Sequence, residues 1–186
     1  MPYPVARSVV EEHLCLLLQA CARCGATGLQ APEGTPLVVD GTLVRRYQAQ
    51  CPECGTGREF TFGMSDRPVV DADDEHPRFG DDQPSELIDP GEWLWFADRM
   101  AAGVPADPAG LGPAERRDAA VDLRTAAEAV GEALKFGSDE LGAVPYEACR
   151  SERGRSEYAA DPGQFSLVRL RLARDTYREL AERFGD

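Results

Sequence analysis

The spacing of apolar and polar positions along this chain of 186 residues changes period twice. In "RSVVEEHLCLLLQA" the apolar residues crowd together after Ser8. Ser8, with Glu11 three residues on, matches a capping box, in which two side chains satisfy free backbone N–H groups at a helix start. A helix from about Val9 to Gln19 is predicted, and its last residues also read as a strand, because apolar runs of this length are ambiguous. The period then becomes two. "PLVVDGTLVRRYQAQ" sets Asp40-Gly41 between apolar segments, and Asp-Gly supplies the positive φ angles of a tight hairpin turn. In the second arm Leu43, Arg45, Tyr47 and Ala49 fall on one face and Val44, Arg46, Gln48 and Gln50 on the other. "REFTF" turns Phe60 and Phe62 one way, so three short antiparallel strands are predicted.

From Glu86 onward the period is helical. "DPGEWLWFADRMAAGV" offers Asp89 as N-cap and Pro90 at the first helical position. Trp93, Phe96, Ala97 and Met100 share one face of this helix; Trp95 falls off it and either packs on another element or is exposed. Pro113 opens an alanine-rich helix to about Phe136, with Ala119, Leu123, Ala126, Val130, Ala133 and Leu134 as its apolar stripe. "VPYEACRSERGRSEYAADPGQF" reads as irregular chain or short helical pieces. A last helix, about Phe165 to Phe184, aligns Leu170, Ala173, Tyr177, Leu180 and Phe184.

Between the two patterns lies "SDRPVVDADDEHPRFGDDQP", rich in Asp and Pro and without a period. Low hydrophobicity combined with like charge opposes compaction, so residues 65–85 are expected to be an acidic linker. The alternative is a docking strip, with Val69, Val70 and Phe79 as anchors and the carboxylates facing a basic surface. The expected division is therefore 1–64, 65–85 and 86–186. Charge follows it: five arginines face six acids in the first part, two face seven in the second, and thirteen basic residues face twenty in the third. The formal net charge is −13. Affinity for nucleic acid rests on neutralised phosphates, so the balance disfavours a free-standing nucleic-acid binder.

Chemistry enters with a repeated turn. "CARCGATG" at Cys21 is answered by "CPECGTG" at Cys51, each of the form Cys-x-x-Cys-Gly. Two thiolates on one tight loop reach a single ion, and two such loops close a tetrahedral shell of Cys21, Cys24, Cys51 and Cys54. Gly25 and Gly55 suit a backbone conformation that a Cβ would hinder. The stretch from Cys21 to Phe62 resembles a zinc ribbon built on two rubredoxin-type knuckles, the second, "CPECGTGREF", being the closer match. This resemblance covers about the first third of the chain and implies a metal-binding fold with no particular activity. The fold class expected is α+β, a zinc ribbon with a small three-stranded antiparallel sheet followed by a helical bundle. Structural Zn²⁺ is the expected occupant. Iron also accepts four thiolates, but the first knuckle lacks the aromatic and acidic residues that rubredoxins usually show there. Disulfides are not expected in a six-cysteine chain without a secretory leader.

Other candidates carry less. Cys15 in "HLCLLLQA" and isolated Cys149 read as small buried hydrophobes. His13 and His76 read as surface residues, since four thiolates already fill the shell. Arg150, Arg153 and Arg155 are interleaved with Glu147, Glu152 and Glu157, which favours a salt-bridged surface over an anion site. No catalytic constellation is present: neither a His-Glu-x-x-His, nor a phosphate loop, nor a nucleophile elbow. A filled shell also leaves no position for substrate or activated water. The expectation is a cytoplasmic, non-membrane protein-interaction or adaptor module, in one version an acidic partner or inhibitor of a basic protein. A nucleic-acid-associated role through Arg45, Arg46 and Arg58 is the alternative, and an enzyme or electron carrier the second alternative.

Overall fold

The computed structural model describes residues 3–66 and 78–185. Val69, Val70 and His76 lie outside them. In chain order the elements are β1 (Val5–Ala6), α1 (Val9–Leu18), β2 (Thr35–Val39), β3 (Thr42–Gln50), β4 (Gly57–Met64), α2 (Pro90–Ala102), α3 (Pro113–Leu134), α4 (Glu152–Ala160) and α5 (Leu167–Gly185). The class is α+β. Among the described residues, 3–66 with Ser85–Ile88 make one compact unit, and 78–84 with 89–185 make the other.

The first unit holds a four-stranded sheet in the order β1-β4-β3-β2. Three strands are those expected from the period-two pattern, and the hairpin turn is the predicted one, with Asp40 at φ 49° and Gly41 at φ 78°. The fourth, β1, pairs parallel with β4 through Val5↔Gly63 and Ala6↔Met64. Two residues are too short to show a period, and what holds them is non-local: the Gly63 N–H donates to Pro4 O at 2.9 Å and the Val5 N–H to Glu86 Oε2 at 2.9 Å.

The ambiguous apolar run of α1 is a helix to Leu18, after which Gln19 is extended. The capping box is only half formed. Ser8 Oγ accepts from the Glu11 N–H at 3.0 Å, but the Glu11 carboxylate turns away to Arg7, taking its backbone N–H at 2.8 Å and its guanidinium at 2.6 Å. Both Glu11 and Glu12 are buried. Glu12 accepts from the Tyr47 hydroxyl at 2.5 Å and from Arg45 at 2.7 Å. Tyr47 and Arg45 share a sheet face with Phe60 and Phe62, their register partners on β4. The face is thus tied to α1 by a polar network, with the Tyr47 and Phe62 rings 6.0 Å apart beside it.

In the second unit one carboxylate organises two helix starts. Asp89 Oδ1 accepts from the N–H groups of Gly91 and Glu92, both at 3.0 Å, and Glu92 returns to the Asp89 N–H, a complete capping box. Its other oxygen accepts from Arg150 and Ser151 at 2.9 and 2.7 Å, where Ser151 caps α4. The approach demands glycine on both sides. A Cβ at Gly91 would lie 2.5 Å from the Gly154 backbone, and one at Gly154 would lie 2.1 Å from Asp89 Oδ1. Helix α3 packs on both α2 and α5, which explains why its buried face is wider than the predicted stripe and includes Ala120, Ala127 and Ala129. Small side chains let two helices approach it. Phe184 and Ala181 of α5 close one end against Ala119 and Leu123.

Part of the expected linker belongs to this unit. Phe79 is buried, 4.8 Å from the Trp93 ring and 6.0 Å from Phe96, and Lys135 Nζ donates to Asp81 O at 2.5 Å. Phe79, expected as a partner-facing anchor in the docking-strip alternative, is used within the chain. Trp95, half-buried, carries the Arg153 guanidinium 4.3 Å above its ring and Arg99 at 5.7 Å. Among the described residues no helix is long and apolar enough to cross a membrane.

Two glycines of this unit test the argument in opposite directions. Gly154→Ala is expected to lower stability by about 3 kcal/mol, because overpacking against the Asp89 carboxylate leaves nothing soft to yield. Gly131→Ala, in α3 with nothing near its added Cβ, is expected to raise it by about 0.5–1 kcal/mol through helix propensity. Urea unfolding of the helical signal in both variants checks the pair.

Candidate metal centre

The two Cys-x-x-Cys-Gly turns fold alike, bond for bond. In the first, the Gly25 N–H donates to Cys21 O at 2.8 Å and the Cys21 N–H to Ala26 O at 2.8 Å; in the second, Gly55 donates to Cys51 O and Cys51 to Thr56 O, both at 2.9 Å. Gly25 and Gly55 have φ of 73° and 69°, the left-handed region where a Cβ is strained. This geometry turns both sulfurs of each loop to one side. The α1 helix delivers the chain to the first knuckle, and β3 and β4 flank the second.

The turns bring Cys21, Cys24, Cys51 and Cys54 together, with all four sulfurs within 4.8 Å of one another. Cys24 Sγ lies 3.6 Å from Cys51 Sγ, and Cys21 Sγ 3.8 Å from Cys54 Sγ. A tetrahedron of thiolates about 2.3 Å from a central ion has edges of about 3.8 Å, so the spacing fits a four-sulfur metal shell. The donor chemistry fits as well. The Thr56 hydroxyl, and then the Thr56 N–H, draw the Cys54 pKa down to about 6. At Cys24 the Ala26 N–H pulls the same way, but crowding by Cys54, by burial and by the other two thiols outweighs it and pushes the pKa up to about 12. Four sulfurs this close cannot all shed their protons without a cation among them.

The knuckles are braced by Arg58, which the sequence offered only as a nucleic-acid contact, and by Arg23 and Thr56, which it did not single out. Arg58 donates to Gln19 O at 3.1 Å and to Ala20 O at 3.2 Å, the carbonyls that leave α1 for the first knuckle, and its guanidinium lies 4.8 Å over the Phe60 ring. Arg23 of the first turn reaches Thr56 Oγ1 of the second at 3.4 Å. The signal available in sequence was weak: Arg58 precedes an aromatic two positions on, a pattern common on sheet faces.

The remaining candidates separate from the cluster. Cys15 and Cys149 are buried; burial, then the Asp89 carboxylate, pushes the Cys149 thiol up to about 11, so it stays protonated. His13 is exposed, its ring 5.8 Å from Tyr47 and edge-on to it. Of the three sheet arginines, Arg45 is engaged by Glu12, Arg58 by the carbonyls of Gln19 and Ala20, and Arg46 sits on the opposite face 3.8 Å from Glu59. They do not form one basic surface. Arg153 stacks on Trp95 and Arg155 donates to Cys149 O at 3.1 Å. Against protein-family models, curated proteins and solved structures alike, nothing matches this chain.

The buried network beneath the sheet face should be separable from the sulfurs. Glu12→Gln removes the charge that holds Arg45 and Tyr47, and breaking a buried pair costs about 3–5 kcal/mol. The expected result is a loss of stability of about 3 kcal/mol with metal content unchanged, read by denaturant unfolding and elemental analysis of the same sample.

Proposed function

We propose that the first unit is a structural zinc ribbon and that the chain serves as a protein-interaction or adaptor module, an acidic partner for a basic protein. The observation that carries the reading is the four-sulfur cluster with tetrahedral spacing. Cys21, Cys24, Cys51 and Cys54 would hold the ion, whose contribution is to fix two loops that have little core of their own. Four protein donors complete a tetrahedral zinc shell, leaving no position for substrate. Zn²⁺ with four thiolates adds two negative charges to a chain already at −13. Several of its cations are committed internally as well: Arg7 to Glu11, Arg45 to Glu12, Lys135 to Glu132. What remains for a partner to meet is an excess of carboxylates.

The nucleic-acid alternative through Arg45, Arg46 and Arg58 draws no support from their placement on two faces with intramolecular partners. Weak binding to generic duplex DNA near physiological salt is expected. Tight binding with a steep salt slope would favour that alternative instead.

Two measurements test the main reading. Purified protein is expected to contain one zinc per chain and to be colourless; visible thiolate-to-iron absorption in protein from its native host, or no metal, overturns the zinc assignment. Structural zinc contributes about 10–16 kcal/mol in small sites, against a typical domain stability of about 5–15 kcal/mol. Strong chelation, or Cys51→Ser with Cys54→Ser, should therefore abolish ordered signals from the hairpin while most helical circular dichroism survives. For the partner, capture from the host on the zinc-loaded chain is expected to enrich basic proteins that salt releases. Recovery of nucleic acid alone would overturn the adaptor reading.

A further inference from the structure

The two knuckles match in backbone and differ at the position two after the second cysteine, where one copy places a side chain against the sulfur cluster. Aligned on their cysteines, Cys24-Gly25-Ala26 corresponds to Cys54-Gly55-Thr56. The Cys54 thiol donates to Thr56 Oγ1 at 3.2 Å, and Arg23 donates to the same oxygen at 3.4 Å; once Cys54 is a thiolate the pair can bond only with the Thr56 hydroxyl as donor. Ala26 has no group to offer at the matching position. Exposure runs the same way. Cys21 and Cys51 are buried at 3% and 2%, Cys54 is half-buried, and Cys24 alone of the four is exposed.

From this asymmetry we infer that Cys24 is the reactive thiolate of the centre, the atom at which soft electrophiles enter it, and that the missing hydroxyl at position 26 sets the order. The inference rests on the zinc reading above. A metal-bound thiolate keeps lone-pair density, and a hydrogen bond to that sulfur withdraws it and must be given up on reaction. Cys54 has a hydroxyl as well as a backbone N–H at its sulfur, and partial cover; Cys24 has the Ala26 N–H alone and is exposed. Cys21 and Cys51 are shielded by burial. With an alkylating agent such as iodoacetamide, the Cys24 sulfur forms a bond to the methylene carbon, the carbon–iodine bond breaks, and iodide leaves. The product is a neutral thioether, so the shell falls from four anionic donors to three and the first knuckle loses its hold. A site otherwise closed to substrate is thereby open to covalent modification at one corner. Cys15 and Cys149, buried and outside the cluster, serve as internal references that the folded protein does not label.

The test uses the full chain as purified, with its zinc content measured first. Limiting iodoacetamide is added, zinc release is followed with a chelating dye, and the labelled cysteines are mapped by peptide mass spectrometry at early times. Cys24 is expected to carry the first label, at least about tenfold ahead of Cys54, with zinc released in step. Ala26→Thr, which supplies the missing hydroxyl, is expected to slow labelling of Cys24 about tenfold, and Thr56→Ala to bring Cys54 towards the rate of Cys24. Zinc present with the first label on Cys21, Cys51 or Cys54, or spread evenly over the four, overturns this inference alone. Protein that contains no zinc as purified overturns the zinc reading and this inference with it. If a variant fails to fold, the label order in the unmodified chain still decides.

Discussion

A buried anion must be met by donors on every side, and in this chain that requirement recurs at each point where the two units are organised. Glu11 and Glu12 lie at 0% and 1% exposure in the sheet unit and Asp89 at 1% in the helical unit, and leaving such a group unpaired costs several kcal/mol. Each therefore dictates the path of the backbone around it. Arg7 wraps Glu11 with its main chain and its side chain together. Glu12 fixes which face of β3 meets α1. Asp89 gathers four N–H groups from two helix starts that are about sixty residues apart in sequence. The sulfur cluster is the same problem at higher density, with a cation as its natural solution. In an acidic chain two of the scarce cations, Arg7 and Arg45, are held by the buried glutamates, while Asp89 is met by backbone N–H groups.

Sequence patterning made most of the elements legible. Period two found β2, β3 and β4 and their Asp40-Gly41 turn, and the apolar stripes found α2, α3 and α5. The cysteine spacing found the candidate site outright, because chemistry that needs four sulfurs leaves them in pairs. What escaped was non-local. β1 is invisible at two residues and exists through a partner strand and through Glu86. Glu11 was legible only as a capping-box residue and Glu12 carried no signal; only the fold shows that Arg7, Arg45 and Tyr47 converge on them. Phe79 was legible as an anchor, but for an outside partner; its ring packs instead on Trp93 and Phe96 of α2. Thr56 and Arg58 brace the knuckles through contacts across the turns, which a linear spacing does not encode.

The doubled knuckle also shows how a repeat holds its geometry while its details diverge. The backbone bonds and the left-handed glycines are shared because the turn cannot form without them. Position two after the second cysteine is free of that demand, and there the copies carry alanine and threonine. One copy is thus supported from the sulfur side and the other is left open, with no change in the scaffold.

The return of Ser85–Ile88 to the sheet unit has a consequence for the order of events at the ribosome. Residues 78–84 belong to the helical unit, yet Glu86 closes on Val5 at the start of the chain. When synthesis has passed β4, the hairpin, both cysteine turns and the β1 pairing to β4 are all encoded, but the outer edge of β1 still lacks its Glu86 acceptor. That edge awaits a residue some eighty positions downstream, and contacts of such separation are the slow ones in folding. Both cysteine turns can therefore form before final closure, while the outer margin of their sheet still lacks its Glu86 acceptor.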